Sequence, residues 1–367
     1  MSEKNPDNPR KSDLSALRKQ IDELDRKIVE LLNARAKVVI EVGKSKRATG
    51  GQIYAPDREK QVLDQVAALS DGPLPQRTLQ AIYRELMSGS FALEKPLRVG
   101  YLGPEGSFSH LAAMRKFGAS IEYLPLADIR AVFEEAVRGH VDLGLVPIEN
   151  SLGGGVVESM DAFVDHEIRV CAEVLVEVHH NVLANCGPDE ITRIASKPEV
   201  FAQCRNWLSR TSHKFERVPV ASTSKAAEMA SREQGLAAIG SALAAELYDL
   251  KIIFANIEDT AANMTRFFVI SKTHPGPTGN DKTTLMFTTA HKAGALVEVL
   301  NVLKEYGVNM TNIDTRPSKR RNWEYYFFVD CDGHIEDENL RSAVEAARGH
   351  CLEMHVLGSY PRATEPV

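Results

Sequence analysis

Residues 12–94 carry apolar side chains at helical spacing and predict an all-helical segment. In the first helix these side chains recur every three or four positions, which is the pattern of an amphipathic helix. Ser12 or Asp13 is a suitable N-cap, and the pattern continues to about Lys46, a length of roughly 50 Å. The sequence "TGGQ" at 49–52 then ends the helix.

Two shorter helices follow, and the three cannot cover one another's apolar faces. A second helix is predicted to begin near Pro56 and Asp57, because proline suits the first helical turn. The sequence "DGPLP" at 71–75 ends it, and a third helix is predicted from about Gln76 to Glu94. So long a first helix cannot bury its apolar stripe within this segment, and we predict an interlocked helical homodimer.

After Lys95 and Pro96 the pattern changes to short apolar runs, which predict an α/β segment over 97–272. Most of these runs precede a loop rich in Gly, Ser or Asn and then a helical pattern. Such alternation is typical of α/β domains, in which ligand-binding groups lie in the loops after the strands. The predicted strands are "LRVGYLG", "VDLGLVPI", "ITRIAS", "FERVPVAS" and "LAAIGS".

The last segment, 282–361, follows a linker and predicts a different α/β arrangement. The linker is "KTHPGPTGND" at 272–281, which is rich in Pro, Gly and Asn. The element order beyond it is βαββαβ, the ferredoxin-like arrangement. Its predicted elements are strand 282–289, helix 293–306, strand 308–316, strand 323–332, helix 337–348 and strand 351–360.

Composition places the 367-residue chain among soluble globular proteins of two or three domains. It is 43% apolar and 26% charged, without an apolar run near the roughly 20 residues that cross a membrane. The first residues lack the apolar region of a secretory signal, so we expect a short disordered tail and a cytoplasmic protein. Five scattered cysteines predict reduced thiols, neither disulfides nor a zinc site. A net charge of −6 disfavours nucleic acid as a partner.

The first helix places three cations on a seam that should be apolar. For any one of them the simpler interpretation is a side chain that extends to solvent at the edge of a bundle. Three together, with Arg58 and Glu59 nearby, favour an anion site inside the bundle. Arg18 lies roughly 25 Å along the helix from Arg35, so it reaches such a site only from a symmetry-related chain. The a and d positions of the heptad frame are Leu14, Arg18, Ile21, Asp25, Ile28, Leu32, Arg35, Val39, Val42 and Lys46.

The sequence "LSALRKQIDELDRKIVELLNARAKVVIEVGKSK…DRE" resembles the all-helical chorismate mutase family. That reaction is a pericyclic rearrangement, in which the protein folds chorismate into its reactive shape and stabilises charge on the breaking C–O bond. The resemblance implies a set of chorismate-binding residues, of which Lys46 and Glu94 are catalytic. The set is Arg18 of the partner subunit, Arg35 and Arg58 for the carboxylates, Lys46 for the ether oxygen, Glu59 for the hydroxyl, Ser90 and Glu94.

Two positions depart from the chorismate mutase pattern. Ala55 stands where the family often has Asp, which loosens the contacts of the second helix. Glu94 stands where some members have a Gln that faces the ether oxygen. An ionised carboxylate there repels the dianionic substrate and cannot donate a hydrogen bond. We therefore predict that Glu94 must be protonated for the mutase to turn over.

Three polar loops in 97–272, together with "NMTRFF" at 263–268, favour one shared cleft. The loop in "GYLGPEGSFSH" at 100–110 has backbone N–H groups that suit a carboxylate, although a glycine-rich turn often means only a tight turn. It lacks the features of a nucleotide-binding loop. A simpler interpretation of the serines in "ASTSKAAE" is that they cap a helix. The polar residues of the other two loops are Asn150 and Ser151 in "VPIENSLGGGV", and Ser222, Thr223 and Ser224 in "ASTSKAAE".

The combination "GPEGSFSH…VPIENS…NMTRF" resembles the prephenate dehydratase family over essentially all of 97–272. The resemblance implies two lobes like those of periplasmic binding proteins, with Thr265 as the catalytic residue at the leaving hydroxyl of prephenate. Loss of water and CO₂ aromatises the ring, so a neutral threonine need only orient the substrate and hydrogen-bond the leaving group. The other implied prephenate contacts are Asn150, Ser151, Ser222, Thr223, Arg266 and Phe267.

Two residues of this segment keep two interpretations each. Arg266 either binds a substrate carboxylate or stabilises the site by pairing with Glu149. His110 is either a proton relay or a histidine that caps or packs at the start of a helix. The sequence does not choose between these alternatives.

The sequence "GALVEVLNVLKEYGVNMTNIDTRP" at 294–317 resembles the ACT regulatory module of this dehydratase family, which binds phenylalanine. The free N–H groups of its first helical turn suit an amino-acid carboxylate. Asp314 replaces a Glu that is usual in the family and puts the effector affinity in question. The alternative is a packing unit without a ligand. The implied regulatory residues are Gly294, Ala295, Leu296, Val297, Asp314, Thr315, Arg316 and Pro317.

The whole chain is similar to the bifunctional chorismate mutase–prephenate dehydratases of phenylalanine biosynthesis. The resemblance implies both reactions, feedback by L-phenylalanine, and neither a cofactor nor a metal. Two other hypotheses stay open. One is a non-enzymatic binding protein with a solute-binding fold and a sensor module. The other is an enzyme with one live activity, in which Ala55 and Glu94 mark a decayed or pH-restricted mutase.

Overall fold

A computed structural model describes residues 9–49, 53–211, 215–318 and 324–367. The first eight residues of the predicted tail, and 50–52 of the predicted break, lie outside the described residues. Among the helices described, none combines the length and the apolar character needed to cross a membrane.

Three helices form the N-terminal segment, as the apolar spacing predicts. The first begins at Pro9, ahead of the predicted caps Ser12 and Asp13, because proline is tolerated in a first helical turn. It also continues about one turn beyond Lys46. The first and third helices approach closely at Gly43, where an added Cβ would lie 3.0 Å from Glu94 Cγ. The helices are α1 (Pro9–Thr49), α2 (Pro56–Leu69) and α3 (Gln76–Glu94).

The next segment has two lobes, and a mixed sheet forms the first. Its elements are β1 (Arg98–Leu102), α4 (Phe108–Phe117), β2 (Glu122–Leu126), α5 (Ile129–Arg138), β3 (Leu143–Asn150), β4 (Gly154–Gly155), α6 (Val157–Asp165), β5 (Arg169–Glu177) and, later in the chain, β11 (Met264–Ser271). The strand order is β2-β1-β3-β11-β5, with β4 beside β3. Antiparallel pairing places Thr265 of β11 opposite Asn150 on one side and Val176 on the other.

A second mixed sheet forms the other lobe, with the strand order β10-β6-β9-β7-β8. The chain passes between the lobes twice, through 178–180 and 255–263. The two lobes agree with the fold that the resemblance implied. The elements are β6 (Asn181–Ala184), a 3₁₀ turn (Pro188–Glu190), β7 (Arg193–Ser196), α7 (Pro198–Gln203), α8 (Arg205–Arg210), β8 (Glu216–Pro219), α9 (Thr223–Arg232), β9 (Leu236–Gly240), α10 (Ala242–Leu247) and β10 (Lys251–Phe254).

The C-terminal segment has the predicted ferredoxin-like βαββαβ order. Its sheet has the strand order β13-β14-β12-β15, and every neighbouring pair is antiparallel. The elements are β12 (Asp281–Thr288), α11 (Ala295–Glu305), β13 (Met310–Pro317), β14 (Tyr325–Asp332), α12 (Glu338–Arg348) and β15 (Glu353–Pro361).

Two hydrophobic cores cross the boundaries between these segments. One joins Phe133 and Phe268 of the first lobe with Phe328 and Tyr360 of the C-terminal sheet. The other joins the opposite face of the first lobe with Tyr54, which lies just before α2. The three segments therefore pack against one another through shared hydrophobic cores.

Candidate functional sites

The first candidate site lies where α1, α2 and α3 face one another. Arg35 on α1 donates from Nη1 to Ser90 Oγ on α3 at 2.7 Å, and Ser90 donates onward to the carbonyl oxygen of Leu86 at 2.6 Å. One helical turn further along α3, Lys46 Nζ lies 3.0 Å from Glu94 Oε2. Two of the three cations predicted on the seam of α1, Arg35 and Lys46, thus turn toward α3, and the close approach at Gly43 makes this possible.

Glu94 is buried and binds α1 through two cations. Lys46 contacts its carboxylate, and Arg47 Nη1 donates to its backbone carbonyl oxygen at 2.6 Å. Glu94, which was expected to face the ether oxygen of chorismate, therefore lies beside Lys46, which was expected to donate to that oxygen. The pair forms one polar unit within the bundle.

Three further predicted residues make their contacts elsewhere in the single chain. Glu59 on α2 accepts from the Tyr54 hydroxyl at 3.1 Å and from Lys116 Nζ at 3.0 Å. Arg58 is exposed and donates to Gln61 Oε1 at 3.1 Å. Arg18 is exposed on the straight run of α1, so it does not join the Arg35 cluster of its own chain.

The second candidate site lies at the start of β11, where Thr265 meets Asn150. Asn150 Nδ2 donates to Thr265 Oγ1 at 2.9 Å and to Asn263 Oδ1 at 2.9 Å. Because Thr265 Oγ1 already accepts this hydrogen bond, its own proton points elsewhere and is free for another acceptor. Ser151 is tied to the same strand, since its Oγ donates to the carbonyl oxygen of Ala262 and accepts from the N–H of Met264.

Phe267 lies deeper than the polar residues around Thr265. Only 1% of it is exposed, and it packs in the core of the first lobe with Tyr101 and Leu145. The structure does not bring it to the surface where Asn150 and Ser151 meet. Its contact with prephenate stays a prediction.

The glycine-rich turn before α4 uses its backbone N–H groups within the protein. Those of Gly103 and Ser107 donate to the carbonyl oxygens of Leu126 and Pro104, and that of Gly106 donates to His110 Nδ1 at 3.1 Å. These three N–H groups are already paired within the protein, so a carboxylate at this turn stays a prediction that would rest on the other N–H groups. The turn also connects the lobes, because Ser241 Oγ donates to the carbonyl oxygen of Gly106 at 2.9 Å.

His110 is a packed residue beside this turn. Its ring stacks on that of Tyr101 with centroids 4.7 Å apart. Burial lowers the pKa of His110, so the ring is neutral near pH 7, with Nδ1 accepting from Gly106 and Nε2 protonated. The packing interpretation of His110 is therefore the one that these contacts favour.

The serine-rich stretch at the start of α9 also has a structural role. Ser222 is the N-cap, and its Oγ accepts from the N–H of Lys225 at 3.0 Å. Thr223 and Ser224 are buried behind it. These residues face the glycine-rich turn, because an added Cβ on Gly106 would lie 3.4 Å from Ser224 Oγ. Prephenate contacts of Ser222 and Thr223 stay predictions.

Arg266 lies in a buried ionic cluster between the first lobe and the C-terminal sheet. Its guanidinium donates to Glu173 at 2.7 Å, to Asp330 at 2.5 Å and to the Tyr360 hydroxyl at 3.0 Å, while Glu149 is 3.9 Å away. Burial alone would lower the pKa of Arg266, but the nearby Tyr360, Asp330 and Glu173 outweigh it and raise that pKa. The ion-pair interpretation thus gains support, with partners that the sequence did not suggest.

A cavity of about 230 Å³ lies at the start of α11. Gly294 has a left-handed backbone, with φ of 83°, and leads the chain into the helix. The lining includes all four residues predicted at this helix start, together with two aromatic side chains. These six residues are Gly294, Ala295, Leu296, Val297, Tyr325 and Phe327.

The other half of the predicted regulatory set lies elsewhere in the same chain. Arg316 on β13 binds Asp161 of α6 with two hydrogen bonds, at 3.0 and 3.2 Å. Asp314 borders a small interdomain cavity that also contacts Arg266. Residues 314–317 do not line the cavity at α11. Within one chain, the structure therefore separates the two halves.

Several residues of these sites were not predicted, because no sequence spacing points to them. Lys116 is 57 positions from Glu59, and Asp330 is 64 positions from Arg266. Only packing between segments brings them together. Asn263 was not named as a contact either, although it lies within the polar start of the strand that pointed to this site.

Comparison with known proteins finds three family models in order along the chain. Residues 17–95 match chorismate mutase type II, residues 99–275 match prephenate dehydratase, and residues 283–349 match the ACT domain. The bifunctional chorismate mutase/prephenate dehydratase of Stutzerimonas stutzeri is 42% identical over 357 residues. The match covers 95% of this chain and 98% of that protein.

Two solved structures resemble a large part of the chain. A prephenate dehydratase of Arthrobacter aurescens in complex with L-Phe has a TM-score of 0.68 and 31% identity, covering 74% of this chain and 92% of that one. GqqA, described as a novel type of quorum quenching acylase, has a TM-score of 0.67 and 28% identity, covering 73% of this chain and 98% of that one. Similar folds therefore carry different activities, and the chemistry must be argued from the site.

Proposed function

Because this chain belongs to the family of bifunctional chorismate mutase/prephenate dehydratases, we propose that it converts chorismate to prephenate and then prephenate to phenylpyruvate. The observation that carries the proposal is the presence of two separate polar sites in one chain. One is the Arg35–Ser90 and Lys46–Glu94 cluster, and the other is the Asn150–Thr265 pair. The proposed functional units are 12–94, 97–272 and 282–361.

In the mutase step the cluster on α1 and α3 binds the substrate and polarises it. Arg35 binds a carboxylate, with Arg58 and Arg18 of the partner subunit as further cations. Lys46 donates to the ether oxygen as the C–O bond breaks. Glu94 faces the same oxygen and donates to it only when protonated. The facing geometry of Lys46 and Glu94, 3.0 Å apart, supports these roles.

In the dehydratase step Thr265 donates to the leaving hydroxyl of prephenate. The C–O bond to the ring hydroxyl breaks as the ring carboxylate leaves as CO₂, and the electron pair of the broken C–C bond completes the aromatic ring. The departing hydroxide takes a proton from solvent and leaves as water. Asn150 orients Thr265 by donating to its oxygen, which directs the threonine proton toward the substrate. A hydrogen bond of this kind lowers the barrier by stabilising charge on the leaving oxygen.

A homodimer completes the mutase site in this proposal. The α1 helix exposes a row of large apolar side chains, with Leu31 70% and Val38 63% exposed in the single chain. Exposed apolar surface on this scale is typical of a protein–protein interface. A second copy covers this row and supplies Arg18. Sedimentation equilibrium is expected to give a dimer, and a monomer at micromolar concentration would contradict this step.

L-phenylalanine is the proposed effector and binds at the start of α11. The cavity there combines a helix N-terminus, which suits the carboxylate, with Tyr325 and Phe327 for the aromatic ring. The Arg266 cluster offers a route to the dehydratase site, because Asp330 and Tyr360 of the C-terminal sheet bind the residue next to Thr265. Calorimetry on the full chain is expected to detect binding of L-phenylalanine. No heat and no inhibition would remove regulation from the proposal.

Cytoplasmic residence belongs to the same proposal. All five cysteines are free, four of them buried, which is usual for proteins kept in a reducing compartment.

The Thr265→Ala variant tests the dehydratase assignment. We expect dehydratase kcat to fall by about 100-fold or more, the usual effect of removing one donor to a developing negative charge. Mutase turnover in the same preparation should be unchanged, because Thr265 is remote from α1–α3. Thr265→Ser keeps the hydroxyl and is the matched control. Near-normal dehydratase turnover in Thr265→Ala would remove Thr265 from the mechanism.

A further inference from the structure

The carboxylate of Glu59 is held by a residue of the dehydratase segment. Lys116 belongs to α4 in the first lobe, yet its Nζ lies 3.0 Å from Glu59 Oε2 on α2. The side chains of Lys116 and Glu59 are only 18% and 13% exposed. A charged pair that is largely withdrawn from water interacts more strongly than one on the open surface.

A second donor fixes the same carboxylate oxygen. Tyr54 donates from its hydroxyl to Glu59 Oε2 at 3.1 Å. Its ring is buried in the core of the first lobe and contacts Phe91 of α3 and Phe117 of α4 edge-on, with centroids 6.0 and 5.3 Å away. Burial and the nearby Glu59 raise the pKa of Tyr54, so the hydroxyl stays protonated and can donate.

The end of α4 is also docked on α3, the helix that carries Ser90 and Glu94. Gly118 has a positive φ of 79°, and a Cβ there would lie 2.7 Å from Ser88 Cβ. The N–H of Ser120 donates to Ser88 Oγ at 2.9 Å, and that of Ala119 donates to Glu85 at 3.0 Å. This docking fixes where Lys116 enters the helical bundle.

We propose that Lys116 is a positioning residue of the chorismate mutase site, contributed by the dehydratase segment. The inference rests on the proposed role of Glu59 as the ligand of the chorismate hydroxyl. Lys116 and Tyr54 both bind Oε2, which leaves Oε1 to accept from that hydroxyl. The ammonium group of Lys116 also offsets the negative charge that Glu59 would otherwise present to a dianionic substrate. The first lobe thereby supplies a side chain that orients a residue of the mutase site.

The Lys116→Met variant tests this inference in the full chain. We expect KM for chorismate to rise about tenfold or more, the effect of losing a hydrogen bond to a charged group, while kcat changes less. Dehydratase turnover on added prephenate should stay unchanged. Arg115→Met is the matched control, because Arg115 lies on the same helix but donates to the carbonyl oxygen of Val367. If Lys116→Met does not fold, Lys116→Gln, which also loses the charge, is expected to raise KM as well.

A double-mutant cycle separates positioning from a merely structural role. If Lys116 acts through Glu59, Lys116→Met adds little to the KM change of Glu59→Gln. A wild-type KM in Lys116→Met, an additive effect in the double variant, or an equal rise in Arg115→Met would overturn the inference. If Glu59→Gln itself leaves KM unchanged, the proposed role of Glu59 fails first. An absence of mutase turnover in the wild-type protein would contradict the proposed function instead.

Discussion

In the proposed mutase step, Lys46 and Glu94 are the pair of residues that act on the ether oxygen. The ammonium group that is expected to polarise the ether oxygen lies 3.0 Å from a buried carboxylate. An ionised Glu94 holds Lys46 by charge and repels a dianionic substrate. A protonated Glu94 does neither and becomes a second donor.

A pH profile of mutase turnover for wild type and Glu94→Gln tests this residue. Glutamine donates a hydrogen bond at every pH, so we expect its profile to be flat across the acid side of neutrality. Wild-type turnover should rise as the pH falls. Near pH 7 the variant should exceed wild type by about tenfold or more, in line with the value of one donor at a developing oxyanion. Identical profiles would contradict the assignment, and dehydratase turnover measured in parallel is the control.

The two crossover segments between the lobes bind each other. His179 in the first crossover binds Glu258 in the second, with 2.8 Å between Nδ1 and Oε1. The same carboxylate accepts from the backbone N–H of His180 at 2.9 Å. The hydrogen bond that His179 donates to Glu258 raises the pKa of His179. Burial alone would raise the pKa of Glu258, but hydrogen bonds from His179 and the N–H of His180 lower it.

Stability should therefore depend on pH through the His179–Glu258 pair. Because the pKa of His179 is raised in the folded state, its interaction with Glu258 stabilises the fold fully below about pH 6.5. This gain is lost as the pH rises through the raised pKa. Because the pKa of Glu258 is lowered in the folded state, its carboxylate stabilises the fold above about pH 4.5. This gain is lost as the pH falls through the lowered pKa. His179→Asn should remove up to about 1 kcal/mol between these limits, the range of partly exposed pairs. Thermal midpoints of wild type and His179→Asn, measured from pH 5 to 9, test this. A difference between the two proteins that is the same at every pH would contradict it.

Helices and strands were predicted well where apolar side chains recur at one regular spacing over a long stretch of sequence. The three helices of the N-terminal segment and the βαββαβ order follow from spacing alone, because burial of one face imposes a fixed repeat. The start of α1 was misplaced, since Pro9 continues the helix beyond two good caps. The internal hydrogen bonds of the glycine-rich turn were not predicted. Three of its N–H groups donate to Leu126, Pro104 and His110, and the contact with Leu126 depends on the fold.

Residues of the candidate sites were predictable where they lie together on one strand or one helix. Thr265 and its neighbours on β11 stand out because polar residues interrupt an apolar strand. Lys116 and Asp330 could not be found, since each acts on a different segment of the chain. Contacts between segments depend on packing that no local pattern encodes.

Across the whole molecule, Arg266 joins the dehydratase segment to the C-terminal sheet. It is 8% exposed and is surrounded by Glu173, Asp330 and Tyr360. Lys282 Nζ also lies 3.3 Å from Glu173. Because the core around Phe268 and Tyr360 is shared as well, the C-terminal sheet is best studied in the full chain.

The Arg266→Met variant distinguishes a structural role from a substrate contact. Removing the guanidinium leaves two buried carboxylates without their main partner, so the free energy of unfolding should fall by about 3–5 kcal/mol. Urea denaturation measures this loss. Inhibition by L-phenylalanine should weaken in the fraction that stays folded. Unchanged stability together with a raised KM for prephenate would contradict the structural role and favour a substrate contact.

The most direct measurement follows chorismate disappearance and phenylpyruvate appearance together in the purified full chain, with nothing else added. We expect chorismate to be consumed and phenylpyruvate to accumulate, which requires both sites in one protein. Accumulation of prephenate would contradict the role given to Asn150 and Thr265. Chorismate left unchanged, both near neutrality and at acidic pH, would contradict the bifunctional assignment itself.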